Sequence, residues 1–120
     1  MPYRIEAFPD EGYILLEHYG EISVAEVDAA RLDVMEQVVK HAMTAILVSV
    51  IGVTNKLSTF DAFYVTESHG KIKHPNMRGA LLARSDQMAD AKFMETVARN
   101  RGMNIWAFAD KEEALAWLRG

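Results

Sequence analysis

Ile46-Leu-Val-Ser-Val-Ile-Gly-Val-Thr-Asn-Lys-Leu-Ser-Thr59 is the stretch that decides the fold. Its apolar part, from Ala45 to Ile51, is interrupted only by Ser49 and is rich in β-branched residues, as a strand covered on both faces requires. Gly52 ends the run, a polar loop follows, and Ser58 or Thr59 stands ready to cap a helix whose first turn includes Asp61. A buried strand that leads through a loop into a helix N-terminus is a usual place for ligand, phosphate or partner sites in α/β proteins.

The residues before this stretch alternate differently. Tyr3 to Phe8 has the period of two of a half-buried strand, Pro9-Asp-Glu-Gly12 is a turn, and Tyr13 to Tyr19 is a second strand, so the chain opens on a hairpin. Ser23 and Glu26 form a capping-box signature for a helix from Val24 to about Ala42. Its inner stripe is Val27, Ala30, Val34 and Val38, flanked by Met35 and Val39, while Asp28, Asp33, Glu36 and Lys40 face outward.

Beyond Thr59 the pattern predicts a helix with Phe60, Phe63 and Tyr64 on its aromatic face, ending at Gly70, then a loop to Met77. Gly79 to Ala83 is a short apolar strand, Arg84-Ser-Asp86 a polar break, and 88–101 a helix burying Phe93, Met94, Val97 and Ala98. Met103 to Ala109 is the last strand, and Asp110 with Glu113 caps a final helix docked by Ala114, Leu115 and Leu118. The order is ββαβαβαβα: an α/β fold with a mostly parallel five-stranded sheet, an antiparallel N-terminal edge strand and four helices.

Residues 1–120 form one domain by length, and no repeat or linker divides them. The absence of cysteine excludes disulfides, a thiolate nucleophile and a sulfur-built zinc site. No apolar run has the length of a membrane span and the start lacks signal-peptide blocks, so a cytoplasmic location is expected. Residues 1–66 carry four basic against ten acidic groups, and residues 67–120 carry nine against seven. The cationic part is local: Lys71, Lys73, His74, Arg78 and Arg84 lie between Glu67 and Asp86 with no acid among them. Lys71, Lys73, His74 and Arg78 could hold an anion or an acidic partner surface; a solvated loop at a helix C-terminus accounts for the same charges. Overall acidity and the lack of interleaved aromatics speak against nucleic acid.

No nucleophile elbow, phosphate loop or dinucleotide fingerprint is present, and no acids form an evident buried pair. The four histidines at 18, 41, 69 and 74 have no recognised ligand spacing. Catalytic residues, metal and cofactor are therefore expected to be none.

The Gly20-Glu-Ile-Ser23 motif, the strand Arg78-Gly-Ala-Leu-Leu-Ala83 and the ending Phe108-Ala-Asp-Lys-Glu-Glu-Ala-Leu-Ala-Trp-Leu118 resemble the SpoIIAA-like superfamily. It contains the anti-sigma-factor-antagonist (STAS) domains, the CRAL-TRIO lipid-exchange domains and a group of small bacterial single-domain proteins, the last being the nearest in pattern. The resemblance implies a non-enzymatic protein-interaction or regulatory module with its site at the 52–59 loop. Gly52-Val-Thr54 is similar to the STAS loop, Ser58 falls on the phosphoacceptor position and Thr59 on the next, while Leu57 stands where the family has its aspartate. Ser49 occupies a position acidic in many relatives. The CRAL-TRIO side of the resemblance implies an alternative, a carrier of a small apolar or lipid-like ligand, with Phe60, Phe63 and Tyr64 lining the pocket. A homodimer is a further expectation, should the middle helix expose apolar residues.

Overall fold

The computed structural model describes residues 3–54, 77–100 and 102–120. Five strands form one sheet in the order in which they occur in the chain: β1 (Tyr3–Phe8), β2 (Tyr13–Gly20), β3 (Ala45–Val53), β4 (Arg78–Leu82) and β5 (Asn104–Phe108). β1 and β2 are antiparallel, joined by the expected turn, in which Glu11 and Gly12 N–H both donate to the Phe8 carbonyl and Gly12 takes φ +82°. Every later pairing is parallel.

Three helices accompany the sheet among the described residues: α1 (Val24–His41), α2 (Met88–Asn100) and α3 (Lys111–Arg119). The predicted middle helix, with Phe60, Phe63 and Tyr64, lies outside the described residues. A single 3₁₀ turn, Ser85–Gln87, leads into α2.

Strand alternation sorts the core into two layers. Ile14, Leu16 and Ile46 point to one face and pack on Ala30, Val34 and Val38 of α1. Leu81 and Ala107 continue that face beneath α2, against Ala91 and Met94. Leu15, Leu47, Ala80 and Leu82 point to the other face and pack on Ala114, Leu115 and Leu118 of α3. Full burial of one such aliphatic side chain stabilises by about 1.5–3 kcal/mol, so both layers are needed to hold β3 and β4 in the middle.

Helix α1 departs from its expected pattern in three places. Val39, expected beside the buried stripe, is 78% exposed. Asp33, expected to face water, accepts the Tyr3 hydroxyl; that bond, then burial, raises the Tyr3 phenol above its ordinary pKa. Ser23 caps Glu26 N–H at 3.3 Å, but the carboxylate of Glu26 leaves Oε2 buried without a partner. In α2 the fully buried positions are Ala91 and Ala98, while Phe93 and Val97 are only half-buried, because small side chains let the helix sit close to β4 and β5. Asp110 caps α3 through Glu112 N–H at 3.1 Å rather than through Glu113.

The carboxyl end of the central strand as candidate functional site

β3 outruns its neighbour. Its pairing with β4 ends at Ser49↔Leu82, whereas pairing with β2 continues to Gly20↔Val53. The last residues of β3 therefore lack a strand on the β4 side, and their backbone groups must find partners elsewhere.

Two side chains from the segment after β4 supply them. Gln87 Nε2 donates to the Val50 carbonyl at 2.8 Å. Arg84 Nη1 donates to the Ile51 carbonyl and, at 3.2 Å, to that of Val53. Arg84 is itself aimed: its backbone N–H donates to Gln87 Oε1 at 2.8 Å, and Gln87 N–H returns a bond to the Arg84 carbonyl at 2.9 Å. Asp86 holds the guanidinium from outside, with Nε at 3.0 Å and Nη2 at 3.3 Å from its carboxylate oxygens. A planar fork suits this role, since a guanidinium can serve two carbonyls and a carboxylate together.

On the β2 side the end is closed by Thr54 N–H, which donates to the Gly20 carbonyl at 3.0 Å. Gly20 adopts φ +71° there. A Cβ on Gly52 would come within 2.9 Å of Tyr19 Cβ, so the bulged pairing between Glu17 and Tyr19 requires glycine opposite Tyr19. The result is a braced strand end that leaves Tyr19, Ile51 and Thr54 exposed while Ser49 stays buried.

One strand away, His18 is 3% exposed, and its Nδ1 has no hydrogen-bond partner. Its ring lies 6.1 Å from that of Tyr3. Burial lowers the His18 pKa, and the charge of Glu26 partly opposes that shift. Among the described residues no group of three or more His, Asp or Glu side chains is placed to hold a metal ion.

Of the residues singled out by sequence, Thr54 is at this end. Ser58, Thr59, Lys71, Lys73 and His74 lie outside the described residues. Arg78 is at the opposite end of the sheet, paired with Ala45 at the start of β3. Eight residues of strand separate that position from Val53, roughly 26 Å. There Arg78 Nη1 donates to the Trp117 carbonyl at 3.0 Å, and its guanidinium carbon lies 5.4 Å from the centre of the Trp117 ring. Thr54 and Arg78 thus do not form one site. The bracing roles of Arg84 and Gln87 were not read from the sequence. The polar break Arg84-Ser-Asp-Gln87 after a short strand was the available signal, but its meaning depends on β4 lying beside β3.

No known protein family matches the chain, and no curated protein matches it in sequence. Solved structures do. The crystal structure of an anti-sigma factor antagonist from Mycobacterium paratuberculosis superposes with a TM-score of 0.71 at 13% identity, covering 98% of this chain and 93% of that one. An uncharacterised protein from Shewanella loihica with a SpoIIAA-like fold superposes with a TM-score of 0.58 at 18% identity, over 97% of this chain and 91% of that one. The chain has the SpoIIAA-like fold. No helix among the described residues is long and apolar enough to cross a membrane.

Proposed function

We propose that this protein is a non-enzymatic, cytoplasmic regulatory module of the STAS type that binds a partner protein at the carboxyl end of β3, through the 52–59 loop. The observation that carries the reading is the braced strand end. Arg84 and Gln87 hold a stretch of β3 that has no strand on its β4 side, and Ile51 and Thr54 at that end, with Tyr19 of the neighbouring β2, are presented to solvent. Rigid presentation of apolar side chains beside polar ones favours binding, because little ordering remains to oppose association. The likeness of the fold to an anti-sigma factor antagonist supports a regulatory role by analogy. In this reading the hydroxyls of Thr54, Ser58 and Thr59 are where a partner kinase would act.

Affinity capture from the native source tests it, with wild type and Ile51→Asp compared side by side. Ile51 is exposed, so the substitution leaves the core untouched. A specific protein retained by wild type and lost by Ile51→Asp supports the reading. Equal recovery by both, or a small apolar ligand in the native mass spectrum with no protein partner, would contradict it and favour a carrier.

A further inference from the structure

The two edges of the sheet are protected in different ways. An edge strand exposes unpaired N–H and C=O groups that invite pairing with another chain, and proteins usually blunt it with charge, proline or a covering element. β1 carries its own charges: Arg4 pairs with Glu6 and with Glu17 of β2, both at 3.3 Å. β5, at the other edge, reads Asn104-Ile-Trp-Ala-Phe108 and has neither charge nor proline.

Its protection is borrowed from α2. The Phe108 carbonyl accepts Ala83 N–H at 3.0 Å, so Phe108 faces the ladder and, by alternation, Ile105 and Ala107 direct their backbone groups outward. Ala107 N–H is taken by Glu95 Oε2 at 2.6 Å. The Glu95 side chain is only 12% exposed, and Lys92 Nζ holds the same oxygen at 3.3 Å. One helical turn further, Arg99 places its guanidinium carbon 3.8 Å from the centre of the Trp106 ring, which in turn lies 6.5 Å from the ring of Trp117. The i, i+4 spacing puts Glu95 and Arg99 on the same side of α2.

We infer that Glu95 and Arg99 form a guard that keeps the outer edge of β5 from pairing with β5 of a second copy of this chain. The second copy is the occupant because the strand carries no charge and is apolar from Ile105 to Phe108. Turned antiparallel to itself about a two-fold axis, it sets Ile105 and Ala107 against the same groups with no repulsion, and two sheets would merge into one. With Glu95 in place, one of the two outward N–H groups is already satisfied, and its carboxylate occupies the path of an incoming strand.

Sedimentation of the full chain across a wide concentration series tests the guard, using wild type, Glu95→Ala, Glu95→Gln and the double variant Glu95→Ala with Ile105→Lys. Relative to wild type, Glu95→Ala should double its mass as concentration rises. Glu95→Gln, which keeps a carbonyl acceptor, should behave as wild type, and the edge lysine in the double variant should abolish the doubling. In the associated Glu95→Ala form, Ile105 and Ala107 amides should gain protection from exchange. A folded Glu95→Ala that keeps the wild-type mass overturns the inference. So does association that persists with Ile105→Lys present. If Glu95→Ala does not fold, Arg99→Ser removes the other half of the guard and must raise association; an unchanged mass there is equally contrary.

Discussion

The two ends of β3 are each fastened by an arginine that donates to backbone carbonyls, yet they are built for different purposes. At the amino end Arg78 reaches the Trp117 carbonyl and lies against an indole ring, so the contact ties α3 to the sheet. At the carboxyl end Arg84 stands in for a missing strand, shares its guanidinium with Asp86 and leaves apolar side chains in water. The first arrangement completes the core. The second holds an incomplete sheet in a fixed shape, which is what a binding surface needs and a core does not.

Breaking the strand between the two ends should have the largest effect. Leu47 is fully buried between them, and Leu47→Ala should cost about 2–5 kcal/mol. Urea denaturation would measure it; a loss below about 1 kcal/mol would mean that the layers collapse around the cavity and that the ends are less coupled than the packing implies. Next comes Gly52→Ala, which forces a methyl group to within 2.9 Å of Tyr19 Cβ. The overpacking should cost about 1–3 kcal/mol and disturb amides of Tyr19 and Val53 while those near Ala45 and Arg78 stay as they are.

The arginines themselves give the sharpest contrast. Arg84→Ala should lower global stability by only about 1 kcal/mol, since the group is partly exposed. Exchange at the backbone amides of 50–54 should nevertheless speed up markedly. Arg78→Ala should do the reverse, loosening α3 and the start of β4 without touching 50–54. Identical exchange patterns for the two variants would erase the distinction.

The smallest effect is one of pH. His18 is held below its ordinary pKa by burial, so the unfolded chain takes up a proton that the folded chain refuses. Stability contributed by neutral His18 is complete above the unfolded value, about 6.5, and declines as pH falls below it. The loss ceases once the pH passes the lowered folded value, and Glu26 makes it smaller. Denaturation at a series of pH values should show this slope in wild type and not in His18→Gln. An unchanged slope in the variant would assign the effect to other groups.

Much of the fold was legible because one signal governed each element. The alternation of Tyr3–Phe8, the stripe Val27, Ala30, Val34 and Val38, and the apolar run from Ala45 each admit one reading of burial, and the structure places them accordingly except at Ile51, which the end of β3 leaves exposed. The errors fall where two demands compete. Asp33 looked like a solvent residue until Tyr3 came within reach across 30 positions, and the Ser23 cap on Glu26 N–H formed while Oε2 of the Glu26 carboxylate was left buried without a partner. The candidate site was less legible. Thr54 could be placed at a strand end, but that Arg78 lies far from it could not be read, because a parallel connection delivers the next strand's first residue to the other end of the sheet. Arg84 and Gln87 act across more than thirty residues, on carbonyls that no side-chain pattern can announce.

A photoreactive amino acid at Ile51, compared with one at Ala42 just before β3 in the same host, tests the central claim most directly. Both positions are exposed, and they lie at opposite ends of the strand. Binding at the carboxyl end requires a discrete protein adduct from Ile51 and none from Ala42. Adducts of equal yield at both positions, or at Ala42 alone, would contradict it.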